Sequence, residues 1–351
     1  MRILYFGSYK PSYPRNKVIL DGLRKNGVEV IECRVPSGKL LPVYIRLLFR
    51  YLALRPKFDV MIVGFPGQEI MFLARLLTRK PIIFDVFTSH YMGYILDRKY
   101  FSERSWRSAY YRFLDRWSCK LADMVILDTD AHIKFFVREF RLQAEKFVRI
   151  WLGANTELHQ PTPKNATRAY TALFWGSFIP LQGVEYIIRA AKILENEPIK
   201  FYLVGHGQTY MHDKKLAEEL NLRNVHFLGR LPDEVLVDWI RKADVCLGTF
   251  SDSVKADITI QNKIFESLAS KKPIITEETS SLKELLHDGQ GVLFCEKADP
   301  SDLAKKIIKL KNSPELSDKI AGDGYTLFTE KLTPKKIVQD LILKVNSILS
   351  N

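Results

Sequence analysis

Twelve short apolar runs punctuate this chain, and the stretches between them carry helical spacing, a pattern that leaves little besides a parallel sheet covered by helices on both faces. In the first half the runs are Ile3–Phe6, Val28–Cys33, Val60–Val63, Ile82–Asp85, Met124–Leu127 and Phe147–Ile150. In the second they are Tyr170–Phe174, Lys200–Val204, Val225–Leu228, Val245–Gly248, Ile274–Thr276 and Gly291–Phe294. A length of 351 residues suits two such domains. The segment Trp151–Arg168 holds Pro161 and Pro163 and little apolar periodicity, so the hinge is expected there. The fold class is therefore α/β, with two Rossmann-like, doubly wound parallel-sheet domains facing across a cleft. Residues 1–160 with 335–351 form the first and residues 168–333 the second. The helix Lys335–Leu349, started by Pro334, is expected to return to the first domain.

Charge is unevenly distributed. Residues 1–165 carry 28 Lys and Arg against 15 Asp and Glu, whereas residues 166–351 carry 25 of each, so the whole net charge of +13 sits in the first half. Such asymmetry points to an anionic partner for that half, a membrane surface, a phosphorylated acceptor or a nucleic acid, with a solvated basic surface that has no partner as the alternative. Cys33, Cys119, Cys246 and Cys295 lack any C-x-x-C pairing, which argues against a zinc site or a disulfide framework and for buried, reduced thiols. The histidines show no ligand spacing, and no metal or other cofactor is expected. Met1-Arg2-Ile3-Leu4-Tyr5 opens directly on a strand, without signal-peptide features, and no apolar segment reaches membrane-spanning length. The expected location is cytoplasmic, with peripheral attachment to the cytoplasmic membrane face as an option.

In open α/β sheets ligands sit beyond the carboxyl ends of the strands. The loops to inspect are therefore Gly7–Asn16, Asp85–Asp97, Gly176–Gly183, Gly205–Gln208, Gly229–Pro232 and Thr249–Asn262. The last leads into Asn262-Lys263-Ile264-Phe265-Glu266-Ser267-Leu268-Ala269. Here Asn262 reads as an N-cap, Phe265, Leu268 and Ala269 as the buried stripe, and Lys263 and Glu266 as neighbours on an exposed face. Backbone N–H groups at a helix start attract phosphate, a lysine adds a point charge, and a carboxylate one turn deeper accepts both hydroxyls of a ribose. In isolation a Lys-x-x-Glu pair is more simply a surface ion pair.

The surrounding segments change that reading. Phe174-Trp175-Gly176-Ser177-Phe178-Ile179-Pro180-Leu181-Gln182-Gly183 is followed by Leu203-Val204-Gly205-His206-Gly207 and by Val225-His226-Phe227-Leu228-Gly229-Arg230-Leu231-Pro232. Ala243–Gly248, the Asn262–Ala269 stretch, Lys272–Thr276, Glu284–Gly289 and Asp299–Leu310 come next, while the first half matches mainly at Gly7, Tyr13–Asn16 and Ala122-Asp123. In this order they resemble a family-four, retaining glycosyltransferase of the GT-B architecture. The resemblance implies a nucleotide-sugar donor, a hydroxyl acceptor on a carbohydrate or lipid-linked molecule, and the following roles. Gly176, Ser177, Gln182 and Gly183 border the diphosphate, with Gly7 and Gly205 at neighbouring loops, Arg230 and Leu231 at the rim for the base, and Glu266 as ribose clamp. Lys263 serves as phosphate cation and, with Asp85 and His90, as a catalytic candidate. The chain departs from the family pattern where Ser177 and Gln182 replace an Arg and a Lys and where Ile258 replaces the first of two glutamates. Lys255 and Lys263, with Lys10 or Arg15 reaching from the first domain, are the cations available to replace the missing charges.

The apolar helix following Pro42 carries Lys39, Arg46, Arg50 and Lys57 near one stripe, and Arg104, Arg107, Arg112 and Arg116 add further cations. It fits either an anionic membrane surface or a helix packed on the sheet with one wet basic edge, the second being the expectation. A nicotinamide oxidoreductase is disfavoured because no G-x-G-x-x-G opens the first unit: Gly7-Ser8-Tyr9-Lys10 stands there, and Tyr210 replaces the third glycine after Gly205-His206-Gly207. No aromatic-interleaved basic tract suggests nucleic acid. The alternative is a non-catalytic, sugar-nucleotide-binding partner subunit of another glycosyltransferase. Sugar, base, acceptor and linkage are not encoded in any motif.

Overall fold

The computed structural model describes residues 1–162 and 169–350. Its contacts divide the chain into two compact units, Met1–Gly153 with Leu332–Asn351, and Ala154–Lys331. The crossing between them thus lies at Gly153/Ala154; part of the expected hinge, residues 163–168, lies outside the described residues.

The first unit contains β1 (Arg2–Gly7), β2 (Glu29–Arg34), β3 (Val60–Val63), β4 (Ile82–Asp85), β5 (Met124–Leu127) and β6 (Phe147–Arg149), in the spatial order β2-β1-β3-β4-β5-β6. Every pairing is parallel, with Leu4 opposite Ile31 on one side and Met61 on the other. Parallel strands buried on both faces need unbroken apolar runs, and β3 and β4 are buried at every position. The helices start where capping chemistry places them. Ser105 accepts from the Ser108 N–H ahead of Trp106–Leu121, Thr129 from the His132 N–H ahead of Asp130–Phe140, and Thr333 from the Lys336 N–H ahead of Pro334–Leu349.

That last helix closes the first unit, as expected. Ile337, Val338, Leu341 and Val345 share a core cluster with Ile3, Val18, Ile19 and Leu23. The approach to helix Pro14–Lys25 is close enough that a Cβ at Gly22 would collide with the Pro334 carbonyl and with Val338. Helix Leu40–Leu54 departs from expectation. Only Val43 and Leu47 are buried, so it is anchored by a narrow edge rather than packed across its apolar surface.

The second unit contains β7 (Tyr170–Trp175), β8 (Ile199–Val204), β9 (Val225–Gly229), β10 (Val245–Leu247), β11 (Ile274–Glu277), β12 (His287–Asp288) and β13 (Gly291–Cys295). Its order is β12-β13-β11-β10-β7-β8-β9. All twelve expected runs form strands within one residue of their expected bounds; β12, two residues long, is the addition. The strand order reverses between β7 and β10, which makes the carboxyl ends of these two neighbours a topological switch point. All four cysteines are buried and free.

Two glycines test the helix packing. Gly22→Ala is expected to cost about 1–3 kcal/mol, because backbone must move to admit the methyl. Gly322→Ala, in helix Pro314–Leu327 with nothing within 4 Å of the new Cβ, is expected to gain up to about 1 kcal/mol from helix propensity. Urea unfolding of both variants checks the contrast.

Candidate functional site

At the switch point of the second unit the backbone is brought unusually close by glycine. Gly176, immediately after β7, donates its N–H to the Val204 carbonyl at 3.0 Å, and Gly205, after β8, lies so near it that a Cβ there would collide with the Gly176 carbonyl. Gly183 adopts φ +62° and precedes helix Val184–Ile193; a Cβ at this position would meet Phe250 and Ser251 backbone at 2.6–2.8 Å. A left-handed residue wedged against another loop is a place only glycine fits. The result is a tight turn from Gly176 to Gly183 that ends at a helix N-terminus, the arrangement suited to anionic groups.

Lys263 lies beneath this turn, and here the exposed-face expectation is corrected. The side chain is buried, with only 4% of its surface exposed. Its ammonium donates to Gln182 Oε1 at 2.6 Å and to the Gly248 carbonyl at 3.2 Å, and stands 3.6 Å from the centre of the Phe174 ring. A Cβ on Gly176 would lie 3.4 Å from Nζ, so the absent side chain keeps the glycine turn next to the ammonium. Burial holds the Lys263 ammonium well below a lysine's ordinary pKa, with the Glu266 charge opposing. Two neutral acceptors and a ring face replace water around the cation without neutralising it. An incoming anion would complete its environment and raise its affinity for the proton.

Glu266, one turn further along helix Asn262–Ala269, is half-buried, and its Oε2 accepts from Trp175 Nε1 at 2.6 Å. Trp175 ends β7 directly before Gly176, so one indole fixes the carboxylate relative to the glycine turn. The cap assignment shifts by one residue: Gln261 occupies the N-cap position without a side-chain cap bond, Asn262 begins the helix, and Asn262 Oδ1 is buried without a hydrogen-bond partner. Ser177 is exposed, Arg230 is exposed and Leu231 half-buried after β9, and Lys255 is half-buried in the short helix Val254–Ile258. The structure therefore brings together Gly176, Gln182, Gly183, Gly205 and Lys263, with Glu266 tied in through Trp175.

In the first unit two expectations are overturned. Arg15 does not reach outward: its Nε donates to both Asp85 oxygens at 3.0 Å, and its Nη1 donates to the Ile150 and Trp151 carbonyls at 2.9 Å. Both side chains of the pair are fully buried. Asp85 is thus a core anchor rather than a group presented to substrate, its carboxyl pushed up by burial against the lowering effect of Arg15. A fully desolvated charge needs such a partner, and here one N–H is shared between both carboxylate oxygens. Gly7 ends β1 opposite Arg34 and is buried. His90 is held by its backbone N–H on Asp115 at 3.1 Å, and its Nε2 lies 3.6 Å from Glu69. Burial lowers the His90 pKa, but the bond to Glu69 and the charges of Asp115 and Glu69 outweigh it and the net shift is upward.

Sequence reasoning passed over Trp175, whose only signal was its place between β7 and Gly176, and Glu277. Glu277 ends β11 beside the switch point, its amide donating to the Thr249 carbonyl at 2.9 Å. The side chain is fully buried, and neither carboxylate oxygen has a hydrogen-bond partner of good geometry. Burial raises its pKa to about 8, with the hydroxyl of Thr249 and the charge of Lys297 acting against the rise. Among the described residues, no cluster of three or more His, Cys, Asp or Glu is arranged to hold a metal ion.

Comparison with known proteins agrees with this geometry. Residues 169–313 match the family described as Glycosyl transferases group 1, and residues 5–153 match the Glycosyl transferase 4-like domain. Between them these matches span most of both units, and the chain belongs to this glycosyltransferase family with the GT-B fold. An uncharacterised glycosyltransferase of Methanocaldococcus jannaschii is 30% identical over 51% of this chain and 48% of its own length. A D-inositol 3-phosphate glycosyltransferase of Thermomonospora curvata is 27% identical over 44% and 37%. The chain thus spans about half the length, or less, of these curated relatives. Among solved structures, HepE of Anabaena in complex with UDP-glucose superposes with a TM-score of 0.74 at 16% identity, covering 99% of this chain and 100% of that one. Sucrose-phosphate synthase of Thermosynechococcus elongatus gives 0.76 at 15% identity, covering 99% of each.

Glu277 makes stability depend on pH. Below about pH 4.5 both folded and unfolded chains carry its proton; between there and about pH 8 only the folded chain keeps it, so its contribution to stability falls as pH rises and is flat above. Glu277→Gln, neutral throughout, is expected to match wild type near pH 5 and to exceed it at pH 9 by an amount on the order of a few kcal/mol. Urea unfolding at pH 5, 7 and 9 measures the divergence.

Proposed function

We propose that this protein is a glycosyltransferase that moves a sugar from a nucleotide-diphosphate sugar to a hydroxyl acceptor with retention of anomeric configuration, in the assembly of a glycan, polysaccharide or glycolipid. The observation that carries the proposal is the buried Lys263 ammonium under the Gly176–Gly183 turn, with Glu266 one turn along the same helix. The diphosphate rests on the turn and the start of helix Val184–Ile193, and Lys263 supplies the charge. As the bond from the anomeric carbon to the diphosphate oxygen breaks, negative charge grows on that oxygen. A pre-placed cation in a dry site stabilises it most at that moment. The acceptor hydroxyl attacks the anomeric carbon and gives its proton to the departing diphosphate, so the reading needs no separate carboxylate base.

This arrangement also accounts for a departure from the family pattern. Gln182 stands where a lysine is usual, and Lys263 Nζ bonds Gln182 Oε1. A cation from the facing helix therefore stands at the head of the side chain that lost it. Glu266, oriented by Trp175, accepts ribose hydroxyls, and Arg230 and Leu231 frame the base. UDP-sugars are the first donors to examine because HepE is seen with UDP-glucose, and GDP-sugars the second.

Lys263→Met conserves volume and removes the charge. It is expected to weaken binding of a UDP-sugar by about tenfold or more, the worth of a charge-assisted hydrogen bond, and to lower kcat beyond that. Glu266→Gln is expected to raise KM more than it lowers kcat, since the ribose is held alike in ground and transition states. Calorimetry with UDP and UDP-sugars and initial-rate kinetics read both effects; undiminished donor affinity and turnover in Lys263→Met would refute the assignment. His90→Ala is expected to reduce turnover by about tenfold, and donor binding without transfer in the wild type would favour the non-catalytic partner reading instead.

A further inference from the structure

Two helices of the first unit have apolar stripes that face water. In helix Leu40–Leu54 the residues Leu41, Ile45, Leu48, Phe49 and Leu52 recur at helical spacing and are all exposed, Leu41 at 70% and Phe49 at 68%. In helix Trp106–Leu121 the exposed stripe is Trp106, Tyr110, Phe113 and Trp117, spaced i, i+4, i+7 and i+11. Helix Ile70–Leu77 lies between them and joins them. Tyr51 Oη donates to the Leu77 carbonyl at 3.2 Å, Phe72 stacks on Phe113 with ring centres 6.3 Å apart, and Leu76 is 84% exposed. Isolated exposed apolar residues are ordinary, but ten on three joined helices make a continuous patch of the kind that marks an interaction surface.

The charges around the patch select its occupant. From Lys39 to Lys57 the chain contains no Asp or Glu, and the one carboxylate in helix Trp106–Leu121, Asp115, is fully buried beneath the His90 loop. Arg46 and Arg50 are exposed along the first helix. Arg107 lies 5.0 Å from the Trp106 ring and Lys120 4.8 Å from the Trp117 ring, so a cation adjoins each end of the aromatic stripe. A second copy of this chain would set like charges against one another. An anionic bilayer satisfies every part: aliphatic side chains enter the acyl boundary, tryptophans sit at headgroup depth, and the flanking cations meet lipid phosphates. Among the described residues no helix is long and apolar enough to cross a membrane, so the contact is one of lying on the surface.

We infer that helices Leu40–Leu54 and Trp106–Leu121, with Leu76 between them, form a docking face for an anionic membrane surface. This goes beyond the transfer reaction and stands on residues outside the proposed donor site, so the two succeed or fail separately. The full-length protein is mixed with phosphatidylcholine vesicles, with or without phosphatidylglycerol, and sedimented. Sedimentation is expected with the anionic vesicles, weakened by salt, and reduced at least tenfold in partition coefficient by Phe49→Ser combined with Trp106→Ser. Arg46→Gln and Arg107→Gln are each expected to weaken it by about fivefold. Circular dichroism and UDP affinity of these surface variants are expected to match wild type. Wild-type protein remaining in the supernatant with anionic vesicles at low salt overturns the inference. So does binding that the Phe49→Ser, Trp106→Ser variant retains, or self-association in sedimentation velocity that this variant abolishes while vesicles bind neither protein.

Discussion

A lysine ammonium kept out of water imposes its needs on everything around it. Lys263 can be buried only because Gln182, the Gly248 carbonyl and the Phe174 face converge on Nζ, and that convergence fixes three loops to one another. Gln182 belongs to the turn after β7, Gly248 follows β10, and Lys263 starts the helix that leads to β11. The strand order places β7 beside β10, so the ammonium is located where the sheet's connectivity opens a crevice. None of its protein partners carries a full negative charge, and Glu266 is already engaged with Trp175. The proposed role of this corner of the fold rests on an ammonium held without a full counter-charge bonded to it.

The first unit handles buried charge in the opposite way. Arg15 meets Asp85 through one nitrogen and two oxygens and spends its Nη1 on two carbonyls from the segment after β6. The pair ties the first helix, β4 and residues 150–151 together across the carboxyl edge of the sheet. The pair is fully enclosed, so neither side chain is presented to a ligand at the surface. Glu277 contrasts again: an enclosed carboxyl with no cation bonded to it, which resolves its desolvation by holding a proton.

The strands were legible because parallel sheets covered on both faces demand uninterrupted apolar runs, and a run such as Val60–Val63 has few other places to go. The Lys263 and Glu266 pair was legible as to helix and spacing, yet its exposure was misjudged. Period alone cannot tell that the face of a helix opposite Phe265 lies under another loop rather than in water. Arg15 and Asp85 were likewise each read from the loop or strand end they occupy, and nothing in sequence announces that residues seventy apart neutralise one another. Helix Leu40–Leu54 failed in the other direction. A strongly apolar helix reads as core, and only its neighbours reveal that just Val43 and Leu47 meet the protein.

The union of Gly22 with Val338 has a bearing on how the polypeptide matures. A ribosome delivers residues 1–153 first, but the surface of helix Pro14–Lys25 that receives Val338 stays uncovered until residues 334–349 emerge. The unit translated second has all of its strands available before the unit translated first has its last helix. Order of synthesis and order of completion are therefore inverted, and an apolar groove along Val18 and Leu23 must be shielded from aggregation during the interval.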